Sequence, residues 1–149
     1  MGEEEWLEAS RTIRLYHELT HVICRRLYPG QIDAVWDELC ADAVGIYAAL
    51  GRYDRTLEET FLGIADGKYA GGRLGNYVDD PSDRAALDAL AAKSDAVLRS
   101  FEELFREHEK EIRDGGPGSA ADRTAAGGAE GAFSMIEVLE EKQAELWNG

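Results

Sequence analysis

The spacing of apolar residues is the feature that most constrains how this chain can fold. Apolar side chains recur every three to four positions over residues 4–28, 32–50, 54–66, 81–113 and 132–147. This interval is the repeat of one face of an α-helix, and no stretch has the strict alternation of a half-buried β-strand. The sequence therefore predicts an all-α bundle of about five helices.

Length and composition are those of one compact domain. The chain has 149 residues, and 44% of them are hydrophobic, which is enough for a single core. We therefore predict a single helical domain over residues 1–149. Residues 114–131 are rich in glycine and alanine, which predicts a flexible linker before a C-terminal helix.

The net charge of −14 argues against two classes of partner. A chain this acidic repels the phosphates of nucleic acids and the surface of anionic membranes. No apolar run is long enough to span a bilayer, and the acidic first residues do not resemble a secretory signal. We predict a cytoplasmic protein in which Cys24 and Cys40 are buried free thiols.

Residues 17–21 read His-Glu-Leu-Thr-His and match the pattern H-E-x-x-H. Four residues span about one helical turn, so His17 and His21 project from the same face and can bind one divalent ion. Glu18 lies beside them, within reach of a water molecule on that ion. The pattern predicts a zinc site on a helix that is buried on most sides, since apolar residues surround the motif.

A tetrahedral zinc site needs a third protein ligand and leaves one position for water. In an antiparallel hairpin that turns near residues 29–30, Glu38 lies opposite His21, and Asp42 lies opposite His17. We predict that Glu38 is the third ligand and that Asp42 accepts the second ring N–H of a ligand histidine. Asp42 and Cys24 remain alternatives for the third ligand.

H-E-x-x-H followed by E-x-x-x-D on the next helix resembles the gluzincin branch of the zincin metallopeptidases. The similarity covers about residues 15–42 and extends to small bacterial proteins of this H-E-x-x-H type. It implies that His17, His21 and Glu38 bind zinc and that Glu18 is the general base. It also implies that Asp42 supports a ligand histidine. Zincin peptidases place a β-sheet before this helix, whereas the residues before His17 predict a helix, so the resemblance supports metal binding more than proteolysis.

The predicted function is a zinc-dependent hydrolase, such as a minimal metallopeptidase, acting on an unidentified peptide or small molecule. Zinc would activate water and Glu18 would accept its proton. A developing oxyanion needs a further donor. Candidates are Tyr69, Arg73 and Tyr77 in the glycine-rich segment after residue 66, with His108 behind them.

Two other functions are compatible with the motif. One is a carboxylate-bridged di-iron bundle, because Glu18 and His21 also form Glu-x-x-His. That design needs a second Glu-x-x-His, which the sequence does not contain. The other is a non-catalytic interaction module in which a metal ion joins the two helices.

Overall fold

The computed structural model describes residues 2–114 and 129–148, with side chains for residues 2–110 and 131–148. This part of the chain contains six α-helices, which confirms the predicted all-α, single-domain bundle. The predicted linker, residues 114–131, lies largely outside the described residues. The helices are α1 (Glu3–Leu27), α2 (Ala34–Leu50), α3 (Arg55–Leu62), α4 (Arg84–Asp114), α5 (Ala129–Glu141) and α6 (Gln143–Leu146).

The first two helices form an antiparallel hairpin. A short 3-10 helix, Pro29–Gln31, joins them. The Asp33 side chain then accepts hydrogen bonds from the backbone N–H groups of Val35 and Trp36, both at 3.0 Å, and so caps the start of α2. At the other end of α2, Gly51 adopts a left-handed conformation with φ 72°, which glycine tolerates without strain.

Helix α2, rather than α1, is the central helix of the bundle. Nearly every residue from Val35 to Tyr47 is buried. Helix α1 packs along α2 with one face only, and Leu15 and Val22 on its outer face are 55% and 47% exposed. The prediction that α1 is buried on most sides is therefore wrong. Apolar residues lie all around α1, and that pattern does not tell which of its faces the bundle covers.

Aromatic side chains from α2 and α4 build the core. Trp36 packs edge-on against Phe101 with ring centroids 5.5 Å apart, and Tyr47 packs against Phe105 at 5.0 Å. Helix α5 closes the bundle with buried Met135 and other residues of one face. These contacts fix α2 in place, so the residues that α2 presents to α1 are held by a rigid support.

The segment between α3 and α4 is more ordered than its sequence predicts. Helix α3 ends at Leu62, earlier than predicted, and a two-residue antiparallel ladder follows, β1 (Ile64–Ala65) and β2 (Lys68–Tyr69). A 3-10 helix, Arg73–Tyr77, comes next. The turn depends on Gly63, where an added Cβ would meet the backbone nitrogen of Gly72 at 2.4 Å. Strands this short leave no alternating signal, so the sequence did not reveal them.

No helix in residues 2–114 or 129–148 combines the length and the apolar composition needed to cross a bilayer.

Candidate metal centre

Three side-chain atoms from α1 and α2 converge on one point. Nε2 of His21 lies 3.0 Å from Nε2 of His17 and 2.9 Å from Oε1 of Glu38. Nε2 of His17 lies 3.3 Å from the same oxygen. Among the described residues, these three form the one group of possible metal ligands whose atoms lie this close together. The antiparallel hairpin places Glu38 opposite His21, which is the register that the sequence predicts.

Each imidazole is held at its other ring nitrogen by a carboxylate. Nδ1 of His17 donates to Oδ1 of Asp42 over 2.8 Å, and Nδ1 of His21 donates to Oδ2 of Asp37 over 2.5 Å. Both carboxylates are buried, at 2% and 7% relative exposure. The Nδ1–H tautomer leaves both Nε2 atoms facing the convergence point. Sequence reasoning missed Asp37, although an acidic residue next to Glu38 in an apolar helix was a signal for it.

Burial and hydrogen bonding act against each other on these histidines. Burial by itself lowers the pKa of His17, but its hydrogen bonds with Asp42 and Glu38 raise that pKa to about 9. The hydrogen bonds of His21 with Asp37 and Glu38 outweigh burial and likewise raise its pKa to about 9. Burial raises the pKa of Glu38, yet its bonds with both histidines bring it well below the usual value. The centre therefore favours positive charge between the three side chains.

Glycine at position 45 lets the two helices come this close. A Cβ at Gly45 would lie 2.6 Å from the backbone oxygen of Ile13 and 3.3 Å from its Cγ2. Ile13 is on the buried face of α1, one turn before His17. The close approach brings carboxylates of α2 within hydrogen-bonding distance of imidazoles on α1.

Arg73 reaches the centre from the 3-10 helix that follows β2. Its Nη1 donates to Oε2 of Glu38 over 2.9 Å, and its Nη2 donates to Oδ2 of Asp42. The guanidinium also lies over the ring of Phe61, 5.9 Å from its centroid. Arg73 was one of the candidates to stabilise an oxyanion. Its contacts in the structure orient the carboxylate of Glu38 and the Asp42 carboxylate that holds His17, and they partly neutralise both.

An open pocket of about 390 Å³ lies against one side of the centre. Its wall includes His17, Asp42, Arg73, the Phe61 ring and the exposed carboxylate of Glu18. Glu18 follows His17 directly on α1 and is exposed. A molecule in this pocket would have both His17 and the Glu18 carboxylate in reach.

The other predicted residues lie in different surroundings. Tyr77 lies near the centre. Burial, together with the smaller effect of the Glu38 charge, raises the pKa of its hydroxyl to about 12, so the hydroxyl stays protonated. The hydroxyl of Tyr69 instead bonds to the backbone of Gly72, where it stabilises the loop. The ring of His108 lies 3.3 Å from Ser134 on α5. The thiol of Cys24 faces Glu140 at 3.6 Å, outside the ligand cluster.

Comparison with known proteins adds one relationship. The model of a family of unknown function (DUF7005) matches residues 1–118. The chain belongs to this family. The family match spans both helices of the hairpin and the loop that carries Arg73, and so it includes the whole candidate centre. No curated protein and no solved structure matches the chain.

Proposed function

We propose that the chain binds a zinc ion at His17, His21 and Glu38 and uses it for hydrolysis. The observation that carries the proposal is the triangle of ligand atoms, with sides of 2.9, 3.0 and 3.3 Å. Ligands about 2.0–2.1 Å from a tetrahedral zinc ion are separated by about 3.3 Å. The sides of the triangle are close to this separation, so one ion could contact all three atoms.

The chemistry of the donor set fits zinc and argues against magnesium and calcium. Two imidazole nitrogens and one carboxylate oxygen are one of the ligand sets found in catalytic zinc sites. Magnesium and calcium prefer oxygen ligands throughout. A di-iron centre needs further bridging carboxylates, but Asp37 and Asp42 are engaged with the Nδ1 atoms of the histidines.

Each residue of the site has a separate role in the proposed hydrolysis. A bound zinc ion would lower the pKa of water and polarise a substrate carbonyl. Glu18, on the pocket wall, would accept a proton from the attacking water and return it to the leaving group. Tyr77 keeps its proton and is the first candidate to donate a hydrogen bond to an oxyanion. This division of labour resembles that of the zincins, and the substrate is a peptide or a small molecule that contains a hydrolysable carbonyl.

Elemental analysis of the purified protein tests the metal site. We expect about one zinc per chain in the wild type, and little in the His17→Ala variant, because a ligand is lost. The matched control is His108→Ala, which removes the third histidine of the chain at a place remote from the cluster. Equal zinc contents in the two variants would refute the assignment.

Glu18→Gln separates catalysis from metal binding. The substitution keeps the size of the side chain but removes the base. We expect unchanged zinc content and melting temperature, with hydrolysis of a panel of fluorogenic peptides and esters reduced at least about a hundredfold. If activity persists in Glu18→Gln, another group accepts the proton.

A second function, a metal ion that joins two helices without catalysis, is favoured by the position of Arg73. Its guanidinium covers the outer oxygen of Glu38, and the three ligands connect α1 directly to α2. Under this alternative, zinc removal lowers the melting temperature and no member of the substrate panel is hydrolysed. Hydrolysis that depends on both zinc and Glu18 favours the enzyme.

The cytoplasm is the compartment that fits this proposal. Cys24 and Cys40 are both buried and free, as is usual for proteins in a reducing environment. No zinc ligand has to be oxidised or reduced for the proposed reaction.

A further inference from the structure

The outer face of α1 carries an apolar stripe that the described part of the chain does not cover. Leu15, Leu19 and Val22 are 55%, 37% and 47% exposed. Their spacing of four and three residues puts them on one face of the helix, turned away from His17 and the bundle. Three large apolar side chains aligned on a surface helix suggest a contact with another molecule.

Two charged residues continue the stripe, one at each end. Glu8 lies one helical repeat of seven residues before Leu15, and Arg26 lies four residues after Val22. Both are exposed, and neither forms an ion pair with any side chain of residues 2–110 or 131–148. The face thus has an acidic residue, Glu8, near its N-terminal end and a basic residue, Arg26, at its C-terminal end, with exposed Arg11 and the three apolar residues between them.

We propose that this face pairs with the same face of a second copy of the chain, with the two α1 helices antiparallel. The observation behind this choice of partner is a shared midpoint. Position 17 lies midway along the helix between Glu8 and Arg26, and also midway between Leu15 and Leu19. In an antiparallel pair, a two-fold axis that passes between the helices at position 17 brings residues equally far from that position opposite each other. It therefore places Glu8 opposite Arg26 of the second copy and Leu15 opposite its Leu19.

The opposite orientation of the helices lacks this complementarity. In a parallel pair, each residue would lie opposite its own copy, so Glu8 would meet Glu8 and Arg26 would meet Arg26. Like charges directly opposite each other disfavour an interface, whereas the antiparallel pair forms two symmetric ion pairs that flank the leucines. The imidazoles of the candidate centre point to the other side of α1 and take no part.

The interface is small, so the dimer should be weak and sensitive to salt. A seam of three apolar residues on each copy buries less surface than a standard stable interface of about 1,600 Å². Exposed ion pairs are screened by salt, which should shift the equilibrium towards the monomer. The dimer should therefore appear at high micromolar concentration and low ionic strength.

Sedimentation equilibrium of the full chain over a range of concentrations, at low salt, tests the proposal. We expect the wild type to approach twice the mass of a single chain. Glu8→Arg and Arg26→Glu should each weaken association at least about tenfold, because each places like charges opposite each other. The double variant Glu8→Arg, Arg26→Glu should regain wild-type association. It again places opposite charges opposite each other when the helices are antiparallel, but not when they are parallel.

A matched pair of leucine variants tests the apolar seam. Leu15→Gln should abolish the dimer, whereas Leu27→Gln should not, because Leu27 is more exposed, at 67%, but lies on a different face of α1. Circular dichroism confirms that the variants are folded. A wild-type chain that is monomeric at all concentrations would overturn the proposal, and so would a double charge variant as weak as the singles.

Discussion

Asp37 orients His21 by accepting a hydrogen bond from its Nδ1–H at 2.5 Å, so that Nε2 faces His17 and Glu38. Carboxylates in this position also increase the basicity of the ligand nitrogen. Asp42 does the same for His17 and is in turn held by Arg73. The candidate centre therefore consists of three possible metal ligands and three further side chains that hold them in place.

We predict that Asp37→Asn lowers zinc affinity by about 10–100-fold without unfolding the protein, since an amide is a poorer acceptor and does not stabilise the imidazole electrostatically. A competition titration with a chromogenic chelator measures the affinity. Asp33→Asn is the matched control, because Asp33 caps the same helix and asparagine caps equally well. Equal affinities of the two variants would contradict the role of Asp37.

Zinc affinity should rise with pH up to about 9, the pKa of His17 and His21 in the metal-free protein. Their Nε2 atoms lie 3.0 Å apart and can hold at least one proton between them, which the ion must displace. The apparent affinity should increase about tenfold per pH unit for each displaced proton. Titrations between pH 6.5 and 9 measure this slope, and a flat profile would exclude proton displacement.

The metal-free protein should respond to pH in the opposite sense. The folded-state pKa of His21 is raised from 6.5 to about 9. Its contribution to stability is therefore complete below pH 6.5 and is lost as the pH rises through 9. Denaturant unfolding of the chelated protein should give a lower free energy of unfolding at the upper end of this range.

At the scale of elements, the hairpin of α1 and α2 determines whether the centre can form. The three possible metal ligands come from both helices, and the distance between the helices depends on the absence of a side chain at Gly45. Arg73 comes from a different element, and the turn at Gly63 positions its loop.

We predict that Gly45→Ala lowers the free energy of unfolding by about 1–2 kcal/mol. The added methyl would lie 2.6 Å from the backbone oxygen of Ile13, and overpacking outweighs the higher helix propensity of alanine. Zinc affinity should fall as well, because the helices move apart. Gly30→Ala is the control, since no atom lies within 4 Å of a Cβ there. A Gly45→Ala protein as stable as Gly30→Ala would show that the helices can separate without cost.

At the scale of the whole molecule, the proposed zinc ion would act as a ligand that the folded state alone binds. At a free zinc concentration a hundred times the dissociation constant, it would add about 2.7 kcal/mol to stability. For a chain of this size we expect chelation to lower the melting temperature by about 5–10 °C. Differential scanning calorimetry before and after exhaustive chelation measures this shift, with His17→Ala as the variant that should not respond. An unchanged melting temperature would count against the centre.

Local patterns in the sequence were sufficient for several features. Apolar spacing predicted the helical bundle and the approximate helix ranges, because that spacing is a property of each segment alone. The interval between His17 and His21 predicted that they share a face, and the position of the turn predicted that Glu38 lies opposite them. Each of these inferences needs at most one hairpin.

The tertiary structure decided what local patterns could not. In the folded chain Asp37 accepts a hydrogen bond from His21, and Arg73, from a different element, donates one to Glu38. The Tyr69 hydroxyl bonds to the backbone of its own loop. The tertiary structure also left one face of α1 exposed, although apolar residues lie around the whole helix. Periodicity describes a helix relative to its own axis, whereas burial and long-range hydrogen bonds depend on which neighbours the rest of the chain supplies.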